Sequence, residues 1–283
     1  MKMNPQWFTE ICEEGGTAFS LKIQETLHSE QTPFQRIDIY QTECFGRLMV
    51  FDGFIMLSER DNFFYHEMLA HPALYTHPDP RRVLIIGGGD CGTLCEVLKH
   101  PEVKTVLQVE IDERVTQLAA EYFPELCSAN QDSRAHFHFG DGIRWAAEAE
   151  ADSYDVIIID STDPIGPAKG LFSEDFYRSC RHALGQNGLL VQQSESPLLH
   201  LDIIKSMHQA MKNAGFSSRH TLHFPQCVYP SGWWTATMAA SLPAVGNFRS
   251  VAVETRTFTT RYYNADIHRA ALATPEFLRG LAD

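Results

Sequence analysis

The chain has 283 residues, of which 36 are Asp or Glu and 23 are Lys or Arg, so its formal charge at pH 7 is −13. Nucleic-acid binding needs clustered positive charge, and this balance argues against a general nucleic-acid binder. The composition, 44% hydrophobic and 21% charged, is that of a soluble globular protein of one large or two modest domains. No apolar run approaches the roughly 18 residues of a membrane span, and Glu10, Glu13 and Glu14 lie where a signal peptide needs apolar residues. We therefore expect a cytoplasmic protein with no membrane partner.

Cysteine and histidine spacing indicates no metal site. The seven cysteines are scattered without a C-x-x-C pair, which predicts neither a disulfide framework nor a zinc site. Most are expected to be small buried hydrophobes in a reducing compartment. His136 and His138 would share one face of a strand, so a metal pair is the alternative to ordinary strand residues.

The first 75 residues predict a small antiparallel β domain. Apolar and polar residues alternate in four short runs, separated by Pro33, Gly46 and Gly53: TAFSLKIQETLHSE, FQRIDIYQTE, GRLMVFDG and FIMLSER. NFFYHEMLAHPAL follows with apolar residues at helical spacing and ends near THPDPRR, whose two prolines mark a junction. We place the domain boundary there, with a β domain over 1–75 and a second domain over 76–283.

From Arg82 onward, strand and helix patterns alternate. The predicted strands are apolar and end in Gly or acidic residues: RVLIIGGGD, KTVLQVEID, HFHFGDG, YDVIIID and GLLVQQS. Helical stretches lie between them, such as DERVTQLAAEYF, EDFYRSCRHAL and LDIIKSMHQAMKNAG. This alternation predicts right-handed crossovers and a Rossmann-like, doubly wound, mostly parallel sheet. Ligands of such a sheet bind beyond the carboxyl ends of its strands.

The first strand end predicts a nucleoside site. Gly87, Gly89 and Gly92 fit G-x-G-x-x-G, and Glu110 ends the next strand about 20 residues on, as expected of a carboxylate that accepts hydrogen bonds from ribose hydroxyls. A purely structural tight turn is the alternative. Asp90 would repel a pyrophosphate at this helix start, which disfavours NAD and ATP and favours a positively charged sulfonium nucleoside. Asp90 could instead be an exposed helix-start residue stabilised by the helix dipole.

Further carboxylates follow the other strands. Asp141, in GDG, could accept the exocyclic amine of an adenine or belong to an ordinary Asp-Gly turn. Asp160 and Asp163 follow a buried strand directly. Two carboxylates so close repel each other unless a cation lies between them, so the pair predicts a cationic ligand. The alternative is a helix-capping Asp with a surface neighbour. With Glu195 as a further candidate, these residues would make an acidic rim that concentrates polycations. A diamine fits this rim.

The motifs IGGGDCG, QVEID, GDG, DSTDPIGPA and YPSG, with WF near the start and YHEML between the domains, resemble the spermidine synthases, the polyamine aminopropyltransferases. The resemblance covers nearly the whole chain, and D-S-T-D-P-x-G-P-A is highly specific, whereas the glycine loop alone also suits methyltransferases. It implies transfer of the aminopropyl group of decarboxylated S-adenosylmethionine to putrescine, which gives spermidine and 5′-methylthioadenosine. The nucleoside is then a co-substrate, and no cofactor is implied.

The resemblance also implies roles for individual residues. Asp160 would be the general base, and Asp163 would hold the amine. The diamine channel would be lined by Trp7, Tyr65, His66, Gln193 and Tyr229. The nucleoside would be bound by Gln35 from the β domain, Asp90 at the amino end, Glu110 at the ribose, Asp141 and Gly142 at the adenine, and Pro167 at the ring face. Cys91 stands where family members generally have Gly, and we expect its thiol to narrow the loop slightly without changing the reaction.

Other functions stay open from the sequence. A methyltransferase acting on a diamine would share the sheet and the glycine loop, although Asp90 would repel the carboxylate of its methionine. An aminopropyltransferase could prefer cadaverine or agmatine, and an inert scaffold would bind no methylthioadenosine. The many strand edges expected in the β domain favour pairing with a second copy, which predicts a homodimer or homotetramer.

Overall fold

An antiparallel sheet of five strands forms the N-terminal part of the protein. The computed structural model describes residues 6–13, 15–164, 166–241 and 245–280. The strands follow sequence order across the sheet: β1 (Trp7–Cys12), β2 (Thr17–Gln31), β3 (Arg36–Thr42), β4 (Arg47–Phe51) and β5 (Phe54–Ser58). The predicted runs at 17–60 form β2 to β5. The central strands β3 and β4 are buried on both faces, with Ile39 and Met49 in one hydrophobic cluster and Leu48 and Val50 in another, whereas most of β2 is exposed or partly exposed. β1 was not predicted from the sequence.

Seven strands form the second sheet. They are β6 (Arg82–Gly87), β7 (Thr105–Glu110), β8 (Ala135–Phe139), β9 (Val156–Asp160), β10 (Leu189–Gln193), β11 (Ser218–Pro225) and β12 (Trp233–Ala240), in the order β11-β12-β10-β9-β6-β7-β8. Five neighbouring strands, β10 to β8 in that order, pair in parallel, and β12 is antiparallel to both of its neighbours. β9 and β10 are buried along their whole length, as central strands covered on both faces must be. The Rossmann-like, mostly parallel fold is thus confirmed.

Helices cover both faces of this sheet. They are α1 (Asn62–Thr76), α2 (Gly92–Leu98), α3 (Glu113–Tyr122), α4 (Gly142–Glu148), α5 (Glu174–Leu184), α6 (Leu201–Asn213), α7 (Ser250–Glu254) and α8 (Ala265–Ala271), with short 3-10 helices at Gly166–Phe172, Pro230–Gly232 and Glu276–Leu278. None of the helices in the described ranges is long and apolar enough to cross a membrane. α1 shares a hydrophobic core with the parallel sheet, whereas the first sheet ends at Ser58. The boundary at residue 75 stays a prediction.

The two sheets meet at the carboxyl ends of the parallel strands. Ile37 and Ile39 of β3 pack against Leu118 and Phe123 of α3, the helix that follows β7. Val228, in the connection between β11 and β12, packs against a second cluster of the β domain that includes Leu48 and Ile55. The β domain therefore covers the edge at which a Rossmann-like sheet binds its ligands.

Candidate active site

Asp160 ends the central strand β9 with both carboxylate oxygens hydrogen-bonded. The Tyr65 hydroxyl of α1 donates to Oδ1 at 2.7 Å, and the Thr93 hydroxyl of α2 donates to Oδ2 at 2.6 Å. Burial raises the pKa of Asp160 to about 6, and the nearby Asp90 carboxylate acts in the same direction. His66 and the two hydroxyl hydrogen bonds oppose the increase. Asp160 is thus held in one orientation by neutral donors and binds protons more tightly than an exposed aspartate.

The glycine loop places Asp90 beside His66. His66 Nε2 lies 3.2 Å from Asp90 Oδ1, which also accepts the backbone N–H of Gly92 at 2.6 Å. A Cβ atom at position 92 would lie 2.2 Å from the imidazole ring, so only glycine lets the ring pack there. Burial alone would lower the pKa of His66, but the Asp90 carboxylate raises it above its ordinary value. The same contact lowers the pKa of Asp90, so the pair favours its imidazolium–carboxylate form.

A second close approach explains Gly87 at the end of β6. Its φ is +83°, and a Cβ atom would lie 2.1 Å from the backbone carbonyl oxygen of Asp160. That carbonyl accepts the N–H of Gly88 at 2.7 Å. The glycine motif thus serves the contact between the loop and β9 as well as access for a ligand.

Glu110 and Gln35 lie on the nucleoside side of the loop. Burial raises the pKa of Glu110 to about 7, and the backbone N–H of Asp112, which donates to its Oε1 at 2.9 Å, opposes the increase. Gln35 donates through Nε2 to Asp112 Oδ2 at 3.2 Å. Thr32 donates to the same oxygen at 2.7 Å, and Asp112 caps the start of α3. Asp112 therefore ties the β domain to the nucleoside side of the parallel domain.

Asp141 caps the start of α4, a role that was not predicted for it from the sequence. Its Oδ1 accepts the backbone N–H of Ile143 at 2.8 Å at the start of α4. The residue also lines the cavity beside Gly142, so the cap and a position facing a ligand occur together. A Cβ atom at Gly142 would lie 2.4 Å from Ile86, which brings α4 close to β6.

Asp163 belongs to a group that we call the distal acidic cluster: Glu10, Asp163, Glu195 and His200. Asp163 and Glu195 are hydrogen-bonded carboxyls, and burial together with Glu195 raises the pKa of Asp163 well above its ordinary value. Glu195 is fully buried, has a φ of +68° and lies 3.0 Å from His200 Nδ1. Burial also raises the pKa of Glu10 to about 7. A left-handed backbone at a buried, non-glycine carboxylate is a strained arrangement of the kind that occurs at ligand sites.

Two tyrosines complete the wall between Asp160 and the β domain. The Tyr229 hydroxyl donates to the backbone carbonyl of Met56, as the Tyr65 hydroxyl donates to Asp160. Burial, with nearby carboxylates, raises the pKa of both phenols well above the ordinary value, so both keep their protons. Because each O–H is already directed at an acceptor, both phenol oxygens can only accept a further hydrogen bond. An ammonium group is the matching ligand.

One cavity of about 270 Å³ brings most of the predicted residues together. Its lining includes nine of them: Gln35, Tyr65, Asp90, Glu110, Asp141, Gly142, Asp160, Asp163 and Tyr229. The lining residues that the structure describes include six carboxylates, with Asp52 as the sixth, and neither Lys nor Arg. The predicted acidic rim is thus present, and arginines do not neutralise it.

Four predicted residues stand apart from this lining. Trp7 lies on β1 with 45% of its surface exposed, and no described contact brings it to the cavity. His66 is not among the described lining residues and contacts Asp90, which is. Gln193 is buried at the end of β10, and its Oε1 accepts the N–H of Glu195 at 3.2 Å. The side chain of Pro167 lies outside the described part of the chain, so its role at the adenine face stays a prediction.

Sequence reasoning missed the residues that support the site. Thr93 is fully buried and reaches Asp160 from α2, and Asp112 joins the domains. Glu10 and His200 complete the distal acidic cluster from distant parts of the chain. The segment that carries Glu10, WFTEIC, does not alternate apolar and polar residues, so no local pattern indicated that Glu10 lies on a strand.

Cys91 does not narrow the ligand side of the loop as we expected. Its thiol is fully buried, and Asn130 donates to it through Nδ2 at 3.4 Å from the segment after α3. The described lining of the cavity does not include it. Its φ of +67° is the left-handed conformation that favours glycine. The side chain therefore points behind the loop and leaves the nucleoside side open.

Sequence comparisons cover nearly the whole chain. A model of the spermine/spermidine synthase domain matches residues 62–247, and a model of the spermidine synthase tetramerisation domain matches residues 6–59. The polyamine aminopropyltransferase of Nitrosococcus oceani is 66% identical over 280 residues, with 99% of this chain and 98% of that protein covered. The polyamine aminopropyltransferase of Thioalkalivibrio sulfidiphilus is 63% identical over 280 residues, at the same coverage.

Two solved structures are similar throughout. A crystal structure of spermidine synthase in complex with the transition-state analogue AdoDATO superposes with a TM-score of 0.94 at 33% identity, over 99% of this chain and 96% of that one. The spermidine synthase of Thermotoga maritima superposes with a TM-score of 0.92 at 34% identity, over 98% and 94% of the two chains.

Proposed function

Because this chain belongs to the spermine/spermidine synthase family, we propose that it transfers the aminopropyl group of decarboxylated S-adenosylmethionine to putrescine, which gives spermidine and 5′-methylthioadenosine. The chain is a polyamine aminopropyltransferase, and putrescine is the amine that we propose for it. Family membership over nearly the whole chain removes the support for an inert scaffold or a methyltransferase.

The observation that carries the proposal is the charge of the cavity. Its described lining holds six carboxylates and neither Lys nor Arg. The field of such a low-dielectric cleft attracts cations and excludes anions. Both proposed substrates are cations, a sulfonium nucleoside with an amino group and a diamine. A nucleotide with a pyrophosphate would meet Asp90 and Glu110 at the glycine loop.

Asp160 has the position and the pKa of the general base. An alkyl ammonium has a pKa near 10, so at pH 7 only about one molecule in a thousand is nucleophilic. A proton acceptor must lie within hydrogen-bond reach of the amine. The phenol oxygens of Tyr65 and Tyr229 can accept a hydrogen bond from the amine but do not take its proton, so Asp160 is the group that can take it. Its pKa of about 6, against 3.8 for an ordinary aspartate, makes this transfer less unfavourable by about 3 kcal/mol.

The transfer itself then needs alignment. The amine nitrogen forms a bond to the terminal carbon of the aminopropyl chain, the bond between that carbon and sulfur breaks, and sulfur keeps the electron pair as a neutral thioether. The ammonium proton passes to Asp160. Sulfonium is a good leaving group, so the protein contributes mainly by holding nitrogen, carbon and sulfur in line, an effect worth several kcal/mol. We assign Asp90 to the amino end of the donor and Glu110 to its ribose.

The distal acidic cluster supports a short diamine. Asp163 follows Asp160 by three residues, so their Cα atoms are at most about 11 Å apart. One ammonium would lie at Asp160 while the other pairs with Asp163 and Glu195, whose buried carboxyls gain a counter-ion. Glu10, 6% exposed, and the fully buried Glu195 both interact with Asp163, so an amine that reached beyond Asp163 would meet buried carboxyls, which disfavours longer amines.

An amine panel tests the proposed substrate. Purified protein with decarboxylated S-adenosylmethionine is expected to turn over putrescine with a kcat/KM about 10- to 100-fold above that of cadaverine, because one methylene in a fitted pocket is worth roughly 1–3 kcal/mol. Agmatine, with a bulkier guanidinium at one end, is expected to be poorer still. Equal or better turnover of cadaverine or agmatine would overturn the assignment to putrescine.

The pH dependence follows from the raised carboxyl pKa values. Asp160 and Glu10, with pKa values of about 6 and 7, lose their negative charge as the pH falls through that range. The cavity then attracts a diammonium ion less and lacks its base, so kcat/KM for putrescine should be at least tenfold lower at pH 5.5 than at pH 7.5. A steady-state profile measures this. Unshifted carboxyls would be ionised throughout, so a flat profile over this interval would contradict the raised pKa values.

We also propose that the protein is a cytoplasmic homodimer or homotetramer. The match to a tetramerisation domain over residues 6–59 supports a homodimer or a homotetramer. The edge strand β1 exposes Trp7 and Ile11 by 45% and 50%, an apolar surface that a second copy would cover. All seven cysteines are free, which suits a reducing cytoplasm.

A further inference from the structure

Two cysteine thiols are in contact behind the glycine loop. Cys91 begins α2, and Cys127 lies between α3 and β8; Asn130, three residues after Cys127, donates to the Cys91 thiol at 3.4 Å, and each of the two thiols shifts the pKa of the other. Cys127 Sγ also lies 3.8 Å from the backbone carbonyl oxygen of Asp90. Cys91 is fully buried, whereas Cys127 is partly exposed. The pair thus joins the loop that holds the donor to a segment 36 residues further along the chain.

The two thiols differ in reactivity. The S–H of Cys91 donates to the backbone carbonyl of Gly89 at 3.6 Å, and the neighbouring Cys91 thiol lowers the pKa of Cys127. The neighbouring Cys127 thiol, with burial, raises the pKa of Cys91. The thiolate is the nucleophilic form of cysteine, so the accessible Cys127 is the thiol that would attack first. Cys91 is placed to react second, as a resolving thiol.

We propose that Cys91 and Cys127 form an oxidation site at which a peroxide converts the two thiols into a disulfide and weakens binding of the donor nucleoside. The Cys127 thiolate attacks hydrogen peroxide, the O–O bond breaks, and a sulfenic acid and hydroxide form. The Cys91 sulfur then attacks the sulfenic sulfur, the S–O bond breaks, and the second hydroxide leaves. With the protons of the two thiols, the sum is one disulfide and two waters.

The loop has little room to follow this reaction. A disulfide needs its sulfur atoms about 2 Å apart, closer than two thiols in contact. Cys91 would have to move toward Cys127, and its neighbours Asp90 and Gly92 are tightly held, since Asp90 pairs with His66 and Gly92 packs on the same ring. Cys91 already has a strained left-handed backbone. We therefore expect oxidation to displace Asp90 from its place in the cavity.

The test is made in a Cys95→Ser background, because the tryptic peptide 83–99 holds both Cys91 and Cys95. After treatment with hydrogen peroxide, mass spectrometry is expected to find peptide 83–99 linked to peptide 115–134. Hydrogen exchange at the backbone amides of 87–92 should increase. The affinity for decarboxylated S-adenosylmethionine, measured by calorimetry, should fall at least tenfold and return with dithiothreitol.

The control adds Cys127→Ser, which should give no linked peptide, unchanged exchange and retained affinity after the same treatment. Absence of the linked peptide, a linked peptide without faster exchange, or an equal loss of affinity in the Cys127→Ser protein would overturn the inference. The affinity measurement rests on the proposed function; reduced protein that binds no donor nucleoside would count against that function, whereas the linked peptide and the exchange measurement still decide the oxidation site.

Discussion

Replacing Asp160 with asparagine is expected to lower kcat by about 10²- to 10⁴-fold, the range over which general-base catalysis contributes. Asparagine has the same shape, and the hydroxyls of Tyr65 and Thr93 can rotate to meet its amide, so the strand end and the cavity should keep their form. Calorimetry should therefore find affinity for methylthioadenosine within about twofold of the parent. Product formation measures the loss.

The pH dependence of this variant shows whether its low activity comes from loss of the proton acceptor or from misaligned substrates. As the pH approaches the pKa of the amine, near 10, the substrate supplies its own neutral form. Above pH 7, the rate of Asp160→Asn should then rise with pH, while the rate of the parent protein stays nearly constant. The ratio of the two rates should therefore decrease. Near-normal turnover at pH 7 would remove Asp160 from its role, and a constant ratio at all pH values would point to misalignment.

Replacing Asp163 with asparagine is expected to raise the KM for putrescine by about 10- to 100-fold and to change kcat much less. A hydrogen bond to a charged group is worth roughly 1.5–3 kcal/mol, and the distal ammonium would lose one such bond. Glu195, the hydrogen-bonded neighbour of Asp163, keeps part of the attraction. Steady-state kinetics with putrescine as the varied substrate measures the effect.

The matched control is Asp175→Asn, which removes the same charge from α5 at a side chain that is 92% exposed. We expect its KM and kcat to equal those of the parent, because screening by water and salt makes a distant exposed charge ineffective. If Asp163→Asn instead lowered kcat and left KM unchanged, Asp163 would take part in the chemical step, and the distal acidic cluster would not be the amine anchor.

The fold was predicted best where one pattern decides the structure. Strands β2 to β10 and helices α1, α3, α5 and α6 were expected, because apolar periodicity and strand-terminal glycines or acids are local signals. The strands β11 and β12 were not predicted. β12 is antiparallel to both of its neighbours, so no crossover helix separates it from β11, and the alternation of strands and helices ends there.

The site was predicted in part for the same reason. Asp160, Asp163, Glu110 and Asp90 follow strands, and the carboxyl ends of parallel strands meet at one edge. Thr93 and Glu10 gave no such signal. Thr93 reaches Asp160 over 67 residues of sequence, and the partner of a hydroxyl at that separation depends on how α2 packs on the sheet.

The sequence by itself determined the fold class, the acidic strand ends and the family, because local periodicity or contiguous motifs are enough to identify each of them. Only the tertiary structure decided which group each carboxylate faces. Asp90 pairs with His66, Asp163 hydrogen-bonds Glu195, and the Cys91 thiol accepts a hydrogen bond from Asn130 behind the loop. These contacts join residues from separate elements. The sequence gives the position of each charged group or thiol, but which group lies next to it in space depends on the packing of the whole chain.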